Sequence, residues 1–264
     1  DHPIIAKEED QDEACYRQFY EEAISLCRQK RFHEVLEKCR YTSLDDEEEY
    51  SIDVIQPEKI EFKQNSYEDG ENSIISFPEF LLLVLDVCTG GEQPASHYQP
   101  DKLIEKFDAL KTYFTAGEFY EKMLYYRLLL DYYTIRRDIK DGQGNYSLIL
   151  KGPKDDSDKL KQYQSMLYVS TEAFYNWLKP YLRKLEQDEL HSCAEMLAFL
   201  KKEDNERHSI LPARKDLSYK ASGNIRYWFW RLDYYLWEQR STFFNEEEQK
   251  IVEHYVFRRN RSIE

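Results

Sequence analysis

Apolar side chains recur at three- and four-residue intervals along most of the chain, and that spacing predicts helices. Between residues 11 and 40, Tyr16, Phe19, Tyr20, Ala23, Ile24 and Cys27 fall on one face, which fits a helix or a broken helical pair. In "SIISFPEFLLLVLDVCTGG" the apolar run is continuous and predicts a buried helix. Ser76 can cap its start, Pro78 suits its first turn, and Gly90-Gly91 ends it. "PDKLIEKFDAL" predicts a short helix. "TAGEFYEKMLYYRLLLDYYTIRRD" predicts a long one, with Thr115 and Glu118 as a capping box. Three further helices follow in "LKQYQSMLYVS", "TEAFYNWLKPYLRKLEQD" and "ELHSCAEMLAFLKKEDNER". After a break come an aromatic helix, "IRYWFWRLDYYLWEQR", and a last one, "NEEEQKIVEHYVF", which the pattern carries into the arginines beyond it. Extended pieces are expected near 50–62, around Pro57, and near 145–151, after the turn "DGQGN". The acidic run Asp45 to Glu49 and "PKDDSDK" read as loops.

The expected fold is therefore mainly α, a multi-helix bundle with minor β. Residues 1–73 form an N-terminal helical and extended segment, and residues 74–264 form a helical domain. No period of 20 to 50 residues repeats, which argues against a solenoid.

Composition narrows the function classes. At 264 residues the chain has room for a substantial core, and its low Gly and Pro content argues against collagen or linker classes. The 22 tyrosines suit packing in which the ring is buried and the hydroxyl finds a partner. A formal charge of −14 repels DNA over most of the surface, so any nucleic-acid contact must be local. The longest apolar run is interrupted by Asp86 and is too short to span a bilayer, so no membrane partner is expected. Five cysteines, without a Cys-x-x-Cys, fit reduced thiols and a cytoplasmic protein. The start at Asp1, with no Met, suggests a fragment.

Two basic constellations stand out. Between Ile225 and Arg240, Tyr227, Trp228, Phe229, Trp230, Tyr234, Tyr235 and Trp237 alternate with Arg226, Arg231 and Arg240. This is either a stacking platform with phosphate contacts or a nearly fully buried helix whose arginines pair with acids on neighbouring helices. Asp233 and Glu238, within helical reach, favour burial. Arg258, Arg259 and Arg261 follow the last helix. They could contact phosphate, and could equally complement a helix dipole. Sequence offers no catalytic residue and no metal site: His191 and Cys193 do not share a helix face, and no zinc, EF-hand, Gly-x-Ser-x-Gly or phosphate-loop spacing occurs. His254 reads as a capping or interface residue.

Several segments, in order, resemble the connecting helical region of GmrSD-type nucleases. They are "ISFPEFLLLVLDV", "PDKLIEKF", "GEFYEKMLYYRLLLDYYTIRRD", "YQSMLYVS", "IRYWFWRLDYYLWE" and "YVFRRNRSIE". The resemblance covers roughly residues 74 to 264. In that family an N-terminal ParB/sulfiredoxin-like domain is nucleotide-dependent, and a C-terminal HNH domain carries a signature close to Ser-Ile-Glu-His-Ile-x-Pro-Gln. Ser262-Ile263-Glu264 look like the start of that signature, cut before its histidine. The resemblance implies a non-catalytic connecting module of a DNA endonuclease in bacterial defence. Its implied partners are DNA and the flanking N-terminal and HNH domains. The divalent metal and nucleotide are implied for the whole protein and not for this fragment. The alternative is a helical protein-interaction module without a nucleic-acid role.

Overall fold

Local signals at α3 (Phe77–Cys88) act as the sequence pattern requires. The Glu79 N–H donates to Ser76 Oγ, and Glu79 Oε2 accepts the Ser76 N–H at 2.8 Å, closing a capping box. Leu82, Leu83, Val84 and Leu85 are fully buried. The helix stops where Gly90 and Gly91 take φ values of 102° and 80°, a left-handed conformation that side chains with a Cβ rarely adopt. A 3₁₀ turn, Pro100–Lys102, leads into α4 (Leu103–Leu110). The computed structural model describes residues 3–42, 70–139, 146–153, 157–170, 172–213, 217, 225–255 and 257.

The predicted broken pair is two helices, α1 (Pro3–Arg28) and α2 (Phe32–Thr42). The capping box on Thr115 and Glu118 opens α5 (Ala116–Tyr133). The periodic pattern runs on through Asp138, but the helix ends at Tyr133. A side chain from another helix decides this. Gln164 accepts the Ile135 N–H at 2.9 Å and donates to the Tyr133 carbonyl at 3.0 Å, satisfying both groups that a further helical turn would have used. The freed chain becomes β2 (Arg136–Ile139), the centre of a three-stranded antiparallel sheet with β1 (Gly70–Ser73) and β3 (Tyr146–Ile149). Gly70 pairs with Ile139 on one side, and Ile139 with Tyr146 on the other. The strand expected after "DGQGN" is therefore present as β3, whereas the extended pieces expected at 50–62 and the turn itself lie outside the described residues.

Six helices follow among the described residues: α6 (Ser157–Val169), α7 (Phe174–Glu186), α8 (Cys193–His208), α9 (Ile225–Glu238), the short α10 (Arg240–Phe243) and α11 (Glu246–Glu253). Pro180 lies inside α7 and removes the N–H that the Asn176 carbonyl would accept; Arg207 of α8 donates to that carbonyl instead. Packing places α5 against α1, α3 and α7, while α6 packs against α8 and α9 and joins α7 through α8. The architecture is mainly α with minor β. Helix α1 and strand β1 belong to the same core and sheet as the later elements.

Buried tyrosines recur with one solution. Tyr126 donates to Glu186 at 2.6 Å, Tyr132 to Glu21 at 2.7 Å and Tyr234 to Glu238 at 3.1 Å, each linking a core ring to a carboxylate. Such charge-assisted bonds satisfy the hydroxyl and hold the acid in place. Burial, reinforced by these acids, raises the tyrosine hydroxyls far above their ordinary range. No described helix is long and apolar enough to cross a membrane.

Candidate functional site

The last helix does not run into the arginines. It ends at Glu253, with His254 at its C-terminal cap, and aromatic anchoring replaces the helical path. Gln162 of α6 donates to the Tyr255 carbonyl at 3.0 Å, Tyr255 donates to Asp233 at 3.0 Å, and Phe257 is buried against Trp230 and Tyr255. Arg258, Arg259 and Arg261 lie outside the described residues, and the phosphate and dipole roles expected of them stay expectations.

Beside this anchor, between the start of α6, the α9–α10 junction and the end of α11, lies a half-open cleft of about 340 Å³. Lys159, Lys161, Arg240 and His254 line it, with Asp158 and Glu253 as the acids and Trp237 and Tyr255 as the aromatic walls. Arg240 donates to the Trp237 carbonyl at 3.1 Å, sits over the Trp237 ring at 5.1 Å, and lies 3.8 Å from Glu253. Its guanidinium is thus held at the cleft by Trp237 and by an ion pair with Glu253. The groups present suit binding of an anion; sequence alone does not pair residues from α6 with residues eighty positions later.

The aromatic helix α9 fits neither sequence reading whole. Tyr227, Trp228, Tyr234 and Trp237 are buried, but Phe229, Leu232 and Tyr235 are about half exposed, at 54%, 49% and 50%. The acids within α9 are not the arginines' partners, but acids on neighbouring helices are: Arg231 lies 3.8 Å from Asp204 of α8, and Arg240 lies 3.8 Å from Glu253 of α11. Tyr255 takes Asp233, and Lys201 and Tyr234 take Glu238. Arg231 also donates to Tyr227 Oη at 2.7 Å and to the Ser209 carbonyl at 3.0 Å, and bonds to Asn205. Tyr227 Oη in turn donates to Asp204 at 2.8 Å, and Tyr163 donates to the same carboxylate at 2.7 Å. Asp204, fully buried, therefore ties α6 and α9 to α8.

A second buried acid, Asp86 on α3, accepts from Lys179 Nζ at 2.9 Å, from the Gln93 N–H at 2.8 Å and from the Tyr98 hydroxyl. The sequence signal for it was the single acid inside an apolar run, read there only as an interruption. Next to it, buried His97 has its Nε2 2.8 Å from the Leu82 carbonyl, so that nitrogen carries the hydrogen, while Nδ1 has no partner. Protonation would bury an unpaired N–H. Burial lowers the His97 pKa below its ordinary 6.5; Lys106 and Lys179 act the same way, and Asp86 opposes them.

The unfolded chain thus binds a proton below 6.5 that the native state resists. The stability this group contributes is full above pH 6.5 and is lost as pH falls toward the lower native value. We expect urea midpoints to drop between pH 7 and pH 5, at up to about 1.4 kcal/mol per pH unit. His97→Gln, which can still donate to Leu82, should flatten that drop. An unaltered pH profile in this variant would assign the loss elsewhere.

A second histidine pairs differently: His208 Nε2 lies 3.0 Å from Glu172, and its ring packs tilted against Tyr227. Although burial opposes it, bonds from His208 and Asn176 hold the Glu172 pKa below the usual carboxylate value. Cys15, Cys27, Cys88 and Cys193 are unbridged, and burial pushes the Cys88 thiol up to about 11, which removes thiolate character near neutrality. Among the described residues no group of three His, Cys, Asp or Glu is placed to hold a metal. No family model matches this chain, and neither the curated proteins nor the solved structures contain a significant match to it.

Proposed function

We propose that this chain is the helical connecting module of a GmrSD-like DNA endonuclease acting in bacterial defence against foreign or modified DNA. Its role is positional: it couples a nucleotide-dependent N-terminal domain to an HNH nuclease, whose divalent metal belongs to that domain. The supporting observation is the placement of the resembling segments. They fall on α3, α4, α5, α6 and α9, most of which contribute to one core, and "YVFRRNRSIE" begins at residues packed onto α6 and α9. A body of this kind transmits orientation between its ends.

Duplex DNA at low salt should bind weakly through Arg258, Arg259 and Arg261. Replacing all three with Ala should reduce the slope of log affinity against log salt by roughly 2–3, at about 0.9 per phosphate contact. Cleavage of DNA by this chain alone with Mg²⁺ would contradict the reading.

A second reading, a protein-interaction module without a nucleic-acid role, is favoured by one observation. An apolar groove of about 370 Å³ runs between α2, α3 and α5, where Phe77 and Tyr120 are exposed. DNA affinity and salt slope unchanged by the triple substitution would favour this second reading.

A further inference from the structure

We infer that the cleft at the start of α6 is a binding site for the phosphate group of a small organic phosphate of nucleoside monophosphate size. The site does not depend on the connecting-module reading, because it uses none of the terminal arginines. Three observations converge on it. First, cations gather there against the charge of the whole chain: Lys159, Lys161 and Arg240 line the cleft, with Asp158 and Glu253 as its acids, in a protein of net charge −14. Glu253, 58% exposed, pairs with Arg240 at 3.8 Å, and Lys159 and Lys161 remain as the further cations of the cleft. Second, Lys159 and Lys161 sit in the first two turns of α6, where the helix dipole also favours an anion. Third, the cleft has an apolar side, formed by Tyr255 beside the almost fully buried Leu148 and Trp237, against which the flat part of a nucleoside can rest.

The volume of about 340 Å³ matches a small ligand. A duplex backbone would lie across the mouth and leave the aromatic wall unused. Arg240 is held by its contacts to Trp237, so part of the entropy of positioning a cation is already lost before the ligand arrives.

The test is calorimetric titration of the full chain with AMP at low salt, beside inorganic phosphate and a short DNA duplex. AMP should bind more tightly than phosphate. The double substitution Lys159→Ala with Lys161→Ala should weaken AMP at least about tenfold, the worth of one hydrogen bond to a charged group. Lys161→Glu should weaken it further. Both variants are checked for an unchanged thermal melt, and Arg258→Ala serves as a control that should leave AMP binding intact. No AMP binding by the native chain would overturn the inference. So would equal AMP affinity in a folded double variant, or a loss confined to the duplex. Failure of the terminal arginines to bind DNA would leave this result unaffected.

Discussion

Asp86→Ala is expected to lower the free energy of unfolding by about 3–5 kcal/mol, the cost of leaving a buried charge without its partner. Asp86 is fully buried, and the Lys179 side chain is only 16% exposed. Removing the carboxylate strips Lys179 of its counter-charge and orphans the Tyr98 hydroxyl and the Gln93 N–H. What remains for Lys179 is the Gly91 carbonyl at 3.2 Å and the face of Tyr98 at 5.5 Å, neither of which carries a full negative charge. Lys179→Met should cost less, because Asp86 keeps its bonds from Tyr98 and Gln93. Combining Asp86→Leu with Lys179→Met should recover much of the loss, since well-packed apolar replacements of a buried pair are often neutral. Urea denaturation of the native chain, Asp86→Leu, Lys179→Met and the double variant closes the cycle. Additive losses in the double variant would show that the two groups do not act as a pair.

Asp204→Ala should be the other large loss, roughly 3–4 kcal/mol, because two buried tyrosine hydroxyls lose one shared acceptor at about 1–3 kcal/mol each. Its effect should also be local. Tyr227 and Arg231 hold α9 to α8 through this carboxylate, whereas Tyr163 brings in α6. Amide exchange in α9 should therefore rise well before exchange in α3, which shares none of these bonds. Tyr163→Phe alone should cost only about 1 kcal/mol, as Tyr227 still bonds to the carboxylate. Uniform loss of protection across both helices would place Asp204 in a global role and not at the α8–α9 seam.

The sequence was most informative where a local rule is enforced by nearby residues. Ser76 with Glu79, Thr115 with Glu118, and Gly90-Gly91 each mark a helix end through contacts within four residues, and each end lies where the pattern put it. It failed at the end of α5, where the apolar period continues but Gln164 of α6 takes the backbone groups. It failed again at the end of α11, where Gln162, Asp233 and Trp230 turn the chain out of the helix. In both places the deciding partner comes from a distant part of the chain, which no window of spacing can contain.

The candidate site divides in the same way. That residues 225–240 mix aromatics and arginines is written in the sequence; which face is buried is not. The pattern favoured a nearly fully buried helix, yet Phe229, Leu232 and Tyr235 stay half exposed, because α6 and α8 cover only one side of α9.

By itself the sequence determined that this chain is mainly helical, strongly acidic, built around buried tyrosines, and free of any spacing that signals an active centre. Only the tertiary structure decided which carboxylate each tyrosine and arginine meets, and that Lys159, Lys161 and Arg240 share one cleft. Helical periodicity is a property of neighbours three and four residues apart, whereas charge pairing depends on which helices pack together, and that is settled by the shape of the whole core.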